Sequence, residues 1–252
     1  MELIFDHITG KQEQQDFQHF KLRGYLDGNE EDDPMEQGWL ADDVPYQGHE
    51  CWYQSRSTRV ELRSGAVKKP RRREVGGKPI EMLEIRPLHG MLKLTGMETL
   101  YHAFLKKKGY RDLYNPLRHI HQRDSFLVYY IDDVSNMIGF TKIKKYRWEQ
   151  DVHDENFDDD DVQYLTGIET HMHCNTEDIG MITLEMEMEW ALSKHCRYLY
   201  LGPGYEKSSI YKSSIPGFQW WTGQKWSKNV EQYRQACNRD SEIIRIADLG
   251  AK

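Results

Sequence analysis

The chain predicts an α/β fold, a mixed sheet carrying helices and preceded by an irregular α+β N-terminal region. Three observations carry this. From Ile80 onward, apolar alternation and helical apolar spacing succeed one another as strand, helix, hairpin, strand, helix, strand, short helix, strand. One long apolar helical segment, Asp178 to Cys196, separates two strand-like runs and reads as a central crossover. With 38% hydrophobic and 12% aromatic residues in 252, there is ample material for a core. Residues 1–79 read as an N-terminal region packed on the core and residues 80–252 as the main domain.

The elements follow in order. In "QEQQDFQHFKLRGYL", Phe17, Phe20 and Leu22 have helical spacing, and a Gly/Asp/Glu-rich loop runs on to Gly48. "CWYQSRSTRVEL" reads as one strand, with Trp52, Gln54, Arg56 and Thr58 on one side and Tyr53, Ser55, Ser57 and Arg59 on the other. "IEMLEIRP" is a strand that ends at Pro87. "GMETLYHAFLKKKG" is a helix with Met97, Leu100, Tyr101, Phe104 and Leu105 on its apolar face and Gly109 as its stop. "SFLVYYI", "DDVSN" and "MIGFTKIKKY" are strand, turn and strand, and "VQYLTGIETHMHC" is a further strand. In "DIGMITLEMEMEWALSKHC", Met181, Leu184, Met188, Ala191 and Leu192 share one helical face, while Thr183, Glu187 and Lys194 form the polar side. Asn175, Thr176 or Asp178 is expected to cap that helix. "RYLYL" is a buried strand, ended sharply by Gly202-Pro203-Gly204. A short helix from Ser208 to Lys212 and the strand "GFQWW" close the pattern.

Composition narrows the function classes. No apolar run approaches the ~20 residues that span a bilayer, and "MELIFDHITG" lacks a signal peptide's basic start and long apolar stretch. Cys51, Cys174, Cys196 and Cys237 are far apart with no C-x-x-C pair, so free thiols in a reducing compartment are expected. Together these predict a cytoplasmic protein with no membrane partner. The net charge of -7 is unevenly placed. Arg59 to Lys78 holds eight basic residues against two acidic ones, including Lys68, Lys69, Arg71, Arg72 and Arg73. A second set includes Lys106, Lys107 and Lys108, and a third Lys142, Lys144 and Lys145. Glu149 to Asp161 opposes them with eight acids and no Lys or Arg. Three basic clusters in an acidic chain predict a side that faces a polyanion.

The strand and helix order resembles the GNAT acyltransferase fold, in which two adjacent parallel strands splay apart and the reacting groups meet in the gap. Those strands would be "YLTGIETH" and "RYLYLG". More narrowly, "GMITLEMEMEWALSKHCRYLYLG", the pair Tyr211-Lys212 and the later "GQKW" resemble the C-terminal half of the arginyl-tRNA protein transferases, over about a quarter of the chain. The resemblance implies transfer of an amino acid from aminoacyl-tRNA to an amine acceptor: a protein N-terminus, a peptide or a free amino acid. No cofactor is implied beyond the tRNA co-substrate. The chain departs from that family at Pro203-Gly204-Tyr205-Glu206, about two residues short of the family's aromatic segment, and it has no cysteine before Cys51.

Such a transfer needs an amine held in place, a group to take its proton and donors for the oxyanion. By strand alternation Glu169, His171 and His173 share a face, with Glu169 as the expected base and His171 next. Tyr205, Ser208, Ser209, Tyr211 and Lys212 are expected across the cleft, Tyr211 and Lys212 as catalytic donors and the others against substrate. Glu177 and Asp178 border the substrate side, in a turn "NTEDIG" too acidic to make a good pyrophosphate nest, which favours tRNA over coenzyme A. Trp221, with Trp220 and Trp226, could stack on unpaired bases. His171-Met172-His173 could begin a zinc site, but no third ligand has a fixed spacing, so no metal is expected. The alternatives are an acyl-CoA-dependent N-acyltransferase of the same fold, with acetyl-CoA as co-substrate, and a non-catalytic module that binds RNA or protein.

Overall fold

The computed structural model describes residues 2–6, 11–12, 15–16, 21–25, 34–46, 49–54, 56–62, 73–86, 95–109, 115–118, 120, 124–146, 167–204 and 209–239. The first strands are β1 (Glu2–Asp6), β2 (Lys11–Gln12), β3 (Gln15–Asp16), β4 (Lys21–Tyr25), β5 (Trp39–Tyr46), β6 (His49–Gln54) and β7 (Ser57–Glu61). Then come β8 (Glu74–Val75), β9 (Lys78–Ile85), α1 (Thr95–Lys108), β10 (Asp124–Ile131), β11 (Asp133–Tyr146), β12 (Gly167–Asn175), α2 (Gly180–Ser193) and β13 (Tyr198–Pro203). A 3-10 helix (Ile210–Ser214), β14 (Phe218–Trp221), β15 (Trp226–Ser227) and α3 (Val230–Asn238) follow. The class is mixed α/β, with mostly antiparallel pairing. The chain forms two compact units, residues 1–61 with 200–252 and residues 62–199, bounds that differ from the single cut after residue 79 read from sequence.

In the first unit, β4 pairs antiparallel with β1 and β6, and β6 with β5. The helix expected around Phe17 to Leu22 gives way to strand from Lys21, because β4 finds ladder partners on both sides; Phe17 and Phe20 lie outside the described residues. The single strand expected over "CWYQSRSTRVEL" is broken between β6 and β7. Trp52 to Gln54 and Arg56 to Val60 are all buried, so alternation could not show one exposed side. β7 pairs with β14, and at its other edge the Gly204 amide donates to Arg56 O at 2.8 Å and Thr58 Oγ1 to Gly202 O at 2.8 Å. α3 had no counterpart in the sequence reading. Its cap is local, since Asn229 Oδ1 accepts from the Gln232 amide, and its Tyr233 and Cys237 pack on Phe218 and Trp220.

The second unit holds the order β12-β11-β10-β9-β8, with each pair antiparallel. One face is covered by α1, whose Met97, Leu100, Tyr101, Phe104 and Leu105 meet Phe126, Val128, Phe140 and Cys174. That face of the helix is the one its spacing predicts, and the chain leaves it at Gly109 with φ +68°. The opposite face of the sheet receives α2.

Candidate active site

The site grows out of an irregularity in β12. Lys142 pairs with Met172, but its neighbour Ile143 pairs with Thr170, so His171 is an extra residue, a β-bulge. Beyond the bulge the parity of the strand is reset. His173 pairs with Thr141 and shares its face, whereas Glu169 pairs with Lys144 on the other face. The expectation that Glu169 and His173 point the same way is therefore corrected: the bulge sends Glu169 to the α1 side and His173 to the α2 side.

On the α2 side a polar cluster sits in an apolar layer. Glu187, 1% exposed, accepts at Oε1 from Tyr129 Oη and Thr141 Oγ1, each at 2.6 Å. His173 Nε2 hydrogen-bonds Thr183 Oγ1 and stands 3.6 Å from Glu187 Oε1, with 25% of the His173 side chain exposed. Glu187 Oε2 is buried without a hydrogen-bond partner. Burial, and after it the carboxylate of Glu187, hold the Tyr129 phenol protonated well above the usual range. Cys174 follows His173, but burial pushes its thiol up to about 12, so no thiolate is offered there. The arrangement supplies a reachable imidazole backed by a buried carboxylate, which is the equipment of a proton acceptor.

Thr183 and Glu187, read from sequence as part of the polar side of α2, are buried, while Met181 on the expected apolar face is 42% exposed. Thr183 and Glu187 stack at i, i+4 on one face, but Glu185 and Glu189 have the same spacing and are only partly buried, so spacing alone does not single out the inward pair. The expected cap of α2 is also corrected. Its N-cap is Ile179, and no side chain caps it.

The other sequence candidates are placed as follows. Glu169 is buried opposite Lys144, and the His171 side chain lies outside the described residues. Lys142 and Lys144 are buried, Lys142 in an ion pair with Asp124 at 3.2 Å, so these two lysines are corrected from polyanion contacts to core charges. Lys106 and Lys108 are exposed, and Lys107 donates to Thr176 O at 2.8 Å and to Asp178 at 3.0 Å. That bond holds the exposed Asp178 carboxyl below its ordinary range, and Glu177 is exposed beside it. Arg73 pairs with Glu189, while Lys68, Lys69, Arg71 and Arg72 lie outside the described residues, as do Tyr205 and Ser208.

Ser209, Tyr211, Lys212 and Trp221 belong to the first unit. Tyr211 is 49% exposed, and Ser209 O accepts from Tyr233 Oη at 3.1 Å. Lys212 is buried and donates to Leu201 O at 2.7 Å and Pro203 O at 2.8 Å, so its ammonium is spent on the strand end rather than offered to a substrate. Trp220 and Trp221 are core residues, and Trp226 carries the Arg59 guanidinium 4.0 Å from its ring centroid. Stacking of Trp220 and Trp221 on bases is therefore corrected. Trp221 is packed so closely on Gly38, φ +81°, that a Cβ there would fall 2.2 Å from the indole.

Among the described residues no group of three His, Cys, Asp or Glu side chains is placed to hold a metal ion, and no helix is long and apolar enough to cross a membrane. No protein-family model and no curated protein matches the chain. Among solved structures it is similar to L-PGS from Bacillus licheniformis, with a TM-score of 0.40 and 10% sequence identity over 67% of this chain and 47% of that one. The chain thus spans about half the length of that protein.

Proposed function

We propose that the chain is a GNAT-like N-acyltransferase that moves an aminoacyl group, most simply arginyl, from tRNA to an amine acceptor, with His173 taking the proton of the attacking amine. The observation that carries this reading is the half-buried imidazole of His173 set against the buried Glu187 carboxylate. The amine nitrogen attacks the ester carbonyl, its proton passes to His173, the ester C–O bond breaks, and that proton leaves on the 3′-oxygen of the tRNA. An aminoacyl ester is already activated, so positioning and one proton acceptor supply the chemistry. The bulge at His171 supports the reading as well, because it is what brings His173 to the face that carries Glu187. Lys106 and Lys108, exposed at the end of α1, are the described part of a tRNA-facing surface. Glu169 yields its role as base to His173, since it lies on the other face of β12.

A second reading, acyl-CoA as donor, is favoured by one observation: the amides that open α2 have no side-chain cap, and such amides attract phosphate. The two are separated by assaying the protein with labelled aminoacyl-tRNAs and, in parallel, with acetyl-CoA, each with a peptide and a free amino acid as acceptor. The expected result is amide formation from charged tRNA, reduced by roughly 100-fold or more in His173→Ala. Amide formation from acetyl-CoA alone would replace the first reading with the second. Product from neither donor would make the chain a binding module.

A further inference from the structure

A neutral imidazole carries one proton, and the surroundings of His173 decide which nitrogen holds it. Nε2 faces Thr183 Oγ1 and, further off, Glu187 Oε1. The Thr183 hydroxyl has a single proton, and two main-chain carbonyls of its own helix stand ready to accept it, Ile179 O at 3.3 Å and Gly180 O at 3.2 Å. A carbonyl can only accept, and a Thr183 proton given to either of them leaves the oxygen a lone pair for His173. Glu187 Oε1, behind it, is likewise placed as an acceptor. Oε1 of Glu187 already accepts from the hydroxyls of Tyr129 and Thr141, and the Tyr129 phenol stays protonated. With the Thr183 proton directed to its own helix, the groups facing Nε2 are acceptors.

We infer that resting His173 is the Nε2–H tautomer, that Nδ1 is the atom that takes the proton of the amine, and that Thr183 and Glu187 are positioning residues that hold the ring in that state. The role of Nδ1 rests on the N-acyltransferase reading, whereas the tautomer does not. Among the described residues Nδ1 makes no hydrogen bond, and a quarter of the side chain is open to solvent. When Nδ1 accepts a proton, the new positive charge faces the Glu187 carboxylate through Nε2–H. Glu187 thereby acts on the reaction without touching substrate. Sequence alternation could not reach this, because the pairing depends on the bulge that turns His173 toward α2.

The test is a long-range 1H–15N spectrum of the full chain labelled at histidine, with the His173 signals assigned by their loss in His173→Gln. The expected spectrum of the neutral ring has Nε2 at the pyrrole-type position and Nδ1 at the pyridine-type position. The reverse pattern overturns the inference whether or not any transfer is found. In the transfer assay, Thr183→Val should lower kcat by about 10- to 100-fold with KM nearly unchanged, since a ring free to turn misplaces its base. Thr183→Ser, which keeps the oxygen, should restore it. Equal activity in the Val and Ser variants would remove Thr183 from the positioning role. Glu187→Gln should lower kcat in the same range, and if that variant fails to fold, the Thr183 pair and the spectrum still decide. A wild-type protein with the Nε2–H spectrum and no transfer from any donor would overturn the acyltransferase reading and the role of Nδ1 with it, leaving the tautomer in place.

Discussion

Lys212 shows what a single buried charge does to this protein. Its ammonium is removed from water and donates to Leu201 O and Pro203 O, tying the 3-10 helix to the end of β13. Burial lowers its pKa to about 8, against 10.5 for the free side chain. A cation whose pKa falls on folding costs most where both states are charged, so its penalty is full below about pH 8 and is relieved as pH rises toward 10.5. The shift corresponds to about 3 kcal/mol, as an order of magnitude. The stability of the wild type minus that of Lys212→Met should therefore rise between pH 7.5 and about 10, read by urea unfolding at each pH. A difference that stays flat or falls would mean that Lys212 is hydrated in the native protein. The substitution is also expected to lower the melting temperature, because the two carbonyls lose their donor.

At the scale of the element, β12 is the informative strand. Because His171 is supernumerary in the pairing with β11, removing it should leave Thr170 opposite Ile143 and Met172 opposite Lys142. Deletion of His171 is thus expected to give a protein that still unfolds cooperatively, with Glu169 toward α1 and His173 toward α2, but with reduced transfer. Deletion of Leu127 is the contrasting case. It lies in β10 between regular pairs on both sides, so its loss would turn half of that strand over and expose the core. Circular dichroism and thermal unfolding of the two deletions check this. Equal loss of folding in both would show that β12 has no bulge. α2 teaches a related lesson, since its buried face includes Thr183 and Glu187 only because a polar patch from β10, β11 and β12 stands opposite.

For the whole molecule the question is how a chain of net charge -7 would hold a polyanion. Lys142 and Lys144 of β11 have gone inside and Lys145 pairs with Glu84, leaving the end of α1 as the exposed one of these clusters among the described residues. Replacing Lys106, Lys107 and Lys108 together by Ala should weaken tRNA binding and lower the slope of log K against log salt by about 2, because Lys107 is already paired with Asp178. An unchanged slope would move the interface elsewhere. The features legible in the amino-acid pattern are local. The apolar stripe of α1 and its stop at Gly109, the hairpin of β10 and β11, and the existence of α2 all depend on side chains within a turn or a pleat of one another. The sharp end expected at Gly202 is not found: β13 runs through Pro203, because Gly202 O accepts from Thr58 and the Gly204 amide donates to Arg56 O. Long-range packing sets the rest. The register of β12 against β11, the inward turn of Glu187, the burial of Lys142 and Lys144, and the strand at Lys21 to Tyr25 are each set by a partner far away in the chain. Periodicity reports that a residue alternates, but which face is covered, and by what, is a property of the surface it meets.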